Sequence, residues 1–269
     1  DNRFGGIDRA SEGARIHRRL QKAGGPSYRA EGFLSQQTER HAFLYRVEGR
    51  ADGVITDAVG VTVDEIKTTG APLTMITEDF NRAHWGQAMC YAYIYALQNG
   101  LDQISVQMTY CDLDTEEIRR LQESFSFFWL ERWFQDMIEA YRKWTDFQFA
   151  WRKIRQASIQ TLEFPFPYRD GQRKLVGDVY RTINRKKILF IQAPTGTGKT
   201  ISTLFPAIRA VGENLGDKIF YLTAKTITRT VAKDTCDLLK AHGYQSKVIV
   251  LTAKEKMCPC EEMDCNPSN

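Results

Sequence analysis

The chain has 269 residues, 42% of them hydrophobic and 26% charged, with a formal net charge of +4. That length accommodates one or two domains with a sizeable core, and the composition excludes a disordered or low-complexity chain. No run reaches the ~20 apolar residues of a membrane span, and no signal peptide pattern opens the sequence.

In chain order, Ser11–Gln21 reads as a helix that sets Gly13 and His17 four apart on one face. Three extended runs follow, Phe43–Glu48, Arg50–Ile55 and Val61–Lys67. The alternation in the third is that of a half-buried strand, so Glu65 and Lys67 share a face. A second helix is predicted from near Glu78 to Gln98, entering at Thr77 and stopping before Asn99 and Gly100. A strand over Gln103–Cys111 completes the order αβββαβ.

Chemistry gathers in this part. Asp52 and Glu65 are hard oxygen ligands that suit Mg²⁺ or Mn²⁺, an ion able to activate water at a phosphate. Lys67 lies on the face of Glu65 and is placed to orient that water or offset developing charge. Gln87 and Tyr91, four apart on the second helix, project together. Asp57 is a rival acid, at the far end of its strand from Asp52. Each feature alone is more often structural: an Asp in a tight bend, a Glu-x-Lys on an exposed strand, a lone His17. Together they resemble the RecB-like branch of the PD-(D/E)XK nuclease superfamily, over roughly residues 8–112. The resemblance implies that His17, Asp52 and Glu65 ligate metal with help from the Ile66 carbonyl. It also implies that Lys67 is catalytic and that Gln87 and Tyr91 contact DNA or buttress the site.

From Asp114, with Glu117 three residues on, a capping pattern predicts a long helix to about Tyr141 or beyond. It is dense in aromatics (Phe127, Phe128, Trp129, Trp133, Phe134 and on to Trp151), which suits packing against a neighbouring sheet or stacking on single-stranded bases. Pro165 and Pro167 mark the break after it. Between Trp151 and Lys187, ten Lys or Arg face three acids, a balance that favours a polyanion.

Residues 193–200 read Ala-Pro-Thr-Gly-Thr-Gly-Lys-Thr, after the apolar run Ile188–Ile191 and before an amphipathic stretch. Gly196 and Gly198 permit the tight turn that aims backbone N–H groups at phosphates, Lys199 reaches the outer phosphates, and Thr200 holds Mg²⁺. Ala193 stands where the first Gly is usual. Gln172, some twenty residues earlier and close after Phe166, is placed as in superfamily 2 helicases, where such a pair recognises adenine. Further strands are predicted at Lys218–Thr223 and Val248–Thr252. Cys90, Cys111 and Cys236 read as buried free thiols, whereas Cys258, Cys260 and Cys265 crowd into eight residues. A Cys cluster there resembles the XPD/DinG-like iron–sulfur helicases, over about 164–269, and implies thiolate ligands of a [4Fe–4S] cluster. A zinc site uses the same ligand type, and spacing does not separate the two. No Asp-Glu-x-His box follows the phosphate loop, so phosphoryl transfer is not expected of this chain.

The expected fold is α/β: a PD-(D/E)XK core with an αβββαβ mixed sheet (1–112), an aromatic helical connector (113–163), and a partial RecA-like P-loop domain (164–269). Both ends, Asp1 and Asn269, read as cut, so the chain is expected to be a piece of a longer protein. The expected function is metal-dependent cleavage of single-stranded or branched DNA, fused to an ATP-dependent helicase, in the cytoplasm at the nucleoid and without membrane contact. The alternative is a helicase whose nuclease-like domain only guides DNA.

Overall fold

The computed structural model describes residues 5–194, 196–224 and 226–252. The chain divides at Arg142 and Lys143 into two compact units.

The first unit holds α1 (Gly5–Ala23), β1 (Tyr28–Arg40), β2 (Phe43–Thr56), β3 (Val61–Thr69), α2 (Arg82–Asn99), β4 (Gln103–Asp112), β5 (Ile118–Ser126) and the start of α3 (Phe127–Gln160). The strands form a five-stranded sheet in sequence order. All neighbours are antiparallel except β3 and β4, which run parallel. A parallel pair needs a crossover, and α2 supplies it. Asn81 caps α2, its Oδ1 accepting from the N–H groups of Ala83 and His84. Gly100 ends the helix with φ of 62°, a left-handed position suited to glycine. Ala88, Ala92 and Ala96 are buried at a spacing of four, so α2 lies close on the sheet. Val54, Val63, Ile104, Val106 and Met108 complete the core with Leu130, Phe134 and Ile138 of α3.

Three expectations change here. β1 went unread because its sequence is polar and only Leu34 is buried in it. It is nonetheless paired with β2 along its length, from Tyr28 opposite Ile55 to Arg40 opposite Phe43. The two runs predicted within 43–55 are the single strand β2, continuous through Gly49. The helix expected from Asp114 begins only at Phe127, because residues 118–126 are strand β5. The segment opens on a turn instead of a helix cap: Asp112 Oδ1 accepts from the backbone N–H of Asp114 and Thr115 and from the Thr115 hydroxyl. The helix aromatics do pack inward at Tyr93, whose ring stacks on Phe127 and Phe134.

The second unit holds the end of α3, then α4 (Gln172–Asn184), α5 (Lys199–Gly212) and α6 (Thr226–Ala241). Its core is Ile159, Leu162, Ile201, Phe205, Ile208, Val211, Leu239 and Tyr244. Arg209 of α5 donates to the carbonyls of Ile159, Gln160 and Leu162, satisfying the end of α3. The strands expected at Ile188–Ile191, Lys218–Thr223 and Val248–Thr252 are not assigned as strands among the described residues. Their apolar runs suit strands buried on both faces, yet Phe190, Leu222 and Leu251 are exposed. Among the described residues no helix is long and apolar enough to cross a membrane. Cys90, Cys111 and Cys236 are free thiols, Cys111 buried and the other two partly so.

Candidate active site

β2 and β3 pair from Thr56 opposite Val61 to Gly53 opposite Asp64. One step on, the Ile66 N–H donates to Asp52 Oδ2 at 2.7 Å. The Asp52 side chain thus replaces a ladder carbonyl, which brings it beside Glu65 and fixes its direction. From α1, His17 Nδ1 lies 3.3 Å from Asp52 Oδ1, and Gln21 donates to the Asp52 carbonyl at 3.0 Å. Gly13 packs α1 against Thr68 of β3, where an added Cβ would press on the threonine hydroxyl.

Glu65 and Lys67 share a face of β3, as the alternation predicts. Lys67 Nζ donates to Glu65 Oε1 at 2.7 Å and to Gln87 Oε1 at 3.1 Å. Gln87 in turn donates to the Tyr91 hydroxyl at 3.4 Å. The Tyr91 ring occupies the space over Gly49, where any Cβ would collide with it. This explains a glycine in mid-strand. Glu65 is 1% exposed and its Oε2 is buried without a hydrogen-bond partner. Burial first, and then the charge of Asp52, push its carboxyl up to about 7, against the opposing pull of Lys67 and His17. The structure therefore brings His17, Asp52, Glu65, Lys67, Gln87 and Tyr91 into one site. Asp57 is elsewhere, its Oδ1 accepting from Val59 and Gly60 in the β2–β3 turn.

Residues 7–158 fit the model of the PD-(D/E)XK nuclease superfamily. The chain belongs to the PD-(D/E)XK nuclease superfamily. A relative of this PD-(D/E)XK protein is a probable ATP-dependent helicase, MJ0942 of Methanocaldococcus jannaschii, 40% identical over 47 residues. That match covers 17% of this chain and 7% of the relative, so the chain spans only a small part of it. Among solved structures, the crystal structure of SSO0001 aligns with 48% of this chain and 58% of its own at 19% identity. Its TM-score is 0.34, and the likeness carries no argument.

Two features of this PD-(D/E)XK site escape a reading of the sequence. Beneath β2 and β3, the buried Asp64 accepts from Tyr28, Gln107 and Thr109, at 3.0, 2.9 and 2.5 Å. Gly24 and Gly53 leave room for the Tyr28 ring. Burial and the facing Asp64 drive the Tyr28 hydroxyl well above the ordinary tyrosine value. The other is His84, one turn before Gln87, with Nδ1 3.0 Å from the Tyr110 hydroxyl. Its sequence signal was a histidine three residues ahead of Gln87.

In the second unit, Gly196 and Gly198 adopt φ of 79° and 72°, and Gly198 caps α5. Lys199 opens α5, and its Nζ donates to the carbonyls of Ala193 and Pro194 at 2.9 and 2.5 Å. Thr200 follows within the first turn of α5. Gln172 is buried beside the same loop: its Oε1 accepts from the Arg169 N–H, and a Cβ on Gly198 would strike its amide. Arg169 donates to the Gly196 carbonyl at 2.7 Å. Cys258, Cys260 and Cys265 lie outside the described residues.

Proposed function

We propose that this chain is a metal-dependent deoxyribonuclease acting on single-stranded or branched DNA, joined to the opening part of an ATP-dependent helicase motor. The observation that carries the nuclease reading is the buried, unpartnered Oε2 of Glu65 beside Asp52. A carboxylate so placed is costly without a cation, and its chemistry fits a hard divalent ion. His17, Asp52 and Glu65, with the Ile66 carbonyl, would hold Mg²⁺ or Mn²⁺. Such an ion, when bound, supplies an activated water and offsets charge on the scissile phosphate. Lys67 then orients the attacking water or stabilises the phosphate oxygens. Gln87 fixes the Lys67 ammonium through its Oε1, and Tyr91 buttresses Gln87.

The motor reading rests on the glycine loop before α5 and on the helicase description of the short relative. Gly196, Gly198, Lys199 and Thr200 would cradle ATP phosphates with Mg²⁺, and Gln172 would meet adenine. Lys199 must first leave the two carbonyls it now serves. Cys258, Cys260 and Cys265 would supply thiolates to a [4Fe–4S] cluster whose ligand set they do not complete. The working place of such a protein is the cytoplasm, at the nucleoid.

The test is cleavage of labelled single-stranded and flapped DNA by the purified chain, with Mg²⁺, with Mn²⁺ and with a chelator. Cutting that requires either ion supports the nuclease. Firm DNA binding without cutting under either ion transfers the chemistry to the motor and leaves this fold as a guide for DNA.

A further inference from the structure

The first turn of α2 carries a polar chain that the proposed chemistry does not use. Asn81 Oδ1 accepts from the backbone N–H groups of Ala83 and His84 at 3.0 and 3.3 Å. Two N–H donors fix that oxygen, so the Asn81 amide nitrogen must be the atom that meets His84 Nε2 at 3.2 Å. Nε2 is then an acceptor, and the proton of the neutral ring sits on Nδ1, where it points at the Tyr110 oxygen 3.0 Å away. Burial, and then the charge of Lys67, hold the His84 pKa below the ordinary histidine value, which keeps the ring uncharged. Tyr110 is 1% exposed and is the register partner of Lys67 across the parallel β3–β4 pair. Phe80 also packs edge-on against the Tyr110 ring, at 5.7 Å.

The consequence is geometric. Gln87 follows His84 by three residues on α2, so the two lie on neighbouring faces of adjacent turns. Whatever fixes the roll of the first turn also fixes where Gln87 Oε1 meets Lys67 Nζ. We propose that His84 is a positioning residue: its Nδ1–H, donated to Tyr110, locks α2 onto β4 and so holds Gln87 against Lys67. The assignment rests on the nuclease reading above.

The experiment compares steady-state cleavage by the wild-type chain, His84→Ala, His84→Asn, Tyr110→Phe and the His84→Ala/Tyr110→Phe pair. Loss of positioning lowers kcat by about tenfold, the scale of a small misplacement of a catalytic group, with the KM for DNA unchanged. His84→Asn, whose amide N–H replaces Nδ1–H, restores most of the rate. Tyr110→Phe matches His84→Ala, and the double variant is no slower than either, because both remove one bond. Nitrogen NMR of the folded wild-type chain shows a neutral ring protonated on Nδ1. Wild-type rates in His84→Ala overturn the assignment, as does a raised KM with unchanged kcat, which would mark a DNA contact. An Nε2–H ring overturns it independently of cleavage. A wild-type chain that does not cut at all instead defeats the nuclease reading itself.

Discussion

Lys67 Nζ sits 2.7 Å from Glu65 Oε1, while the other oxygen of that buried carboxylate has no partner. The lysine satisfies half of the group, and the proposed cation would satisfy the other half, with Asp52 and His17 close enough to shift the carboxyl's charge state.

The proposed cation site predicts that a divalent ion stabilises the fold. Mn²⁺ or Mg²⁺ at a hundred times its dissociation constant adds about 2.7 kcal/mol to unfolding stability by mass action. Thermal unfolding of wild type should shift upward with the ion, and Asp52→Asn or Glu65→Gln should abolish the shift. An equal shift in either variant places the ion elsewhere.

Metal-free stability should fall as pH rises between the ordinary carboxyl value of 4.5 and about 7. In that window the folded chain keeps a proton on Glu65 that the unfolded chain releases, so the slope is negative, up to about 1.4 kcal/mol per pH unit. The Glu65 contribution is fully present below 4.5 and lost as pH passes through 7. Urea unfolding at several pH values reads this directly, and Glu65→Gln should flatten that part of the profile.

Gly49→Ala should damage both fold and chemistry. The added methyl collides with the Tyr91 ring, and overpacking of this kind costs about 1–3 kcal/mol. Displaced Tyr91 releases Gln87, so cleavage should drop further than stability alone explains, measured well below the unfolding midpoint.

Tyr28→Phe removes one donor from buried Asp64. Leaving a charged acceptor short of a partner costs on the order of 1–3 kcal/mol. Chemical denaturation should show that loss, and Tyr28→Phe combined with Asp64→Asn should cost less than the sum of the two changes.

Lys199→Ala should leave DNA cleavage untouched, because the phosphate loop belongs to the second unit and not to the Glu65 site. Nucleotide-dependent protection of the loop from proteolysis, if present in wild type, should vanish in the variant.

Much of the site was legible because its chemistry follows short spacings. Glu65 and Lys67 alternate on one strand, and Gln87 and Tyr91 sit one helical turn apart, so local periodicity places each pair. β1 was not legible, since a polar edge strand buries only Leu34 and sends no apolar signal. β5 was hidden because Asp114 and Glu117 mimic a helix cap, whereas Asp112 turns the chain back into a strand. The link from Tyr28 to Asp64 spans 36 positions, and that from His84 to Tyr110 spans 26. Only the sheet order brings such pairs together. The apolar runs at Ile188–Ile191 and Val248–Thr252 misled in the opposite sense, because hydrophobicity predicts a strand but pairing makes one.

Single-turnover cleavage of labelled single-stranded DNA in Mn²⁺ by wild type, Asp52→Ala and Lys67→Ala decides whether the Glu65 site is a nuclease centre. Wild type should cut, with a loss of at least about a hundredfold in each variant, while both variants stay folded and still bind DNA. Cutting that persists in either folded variant would contradict that role for the site.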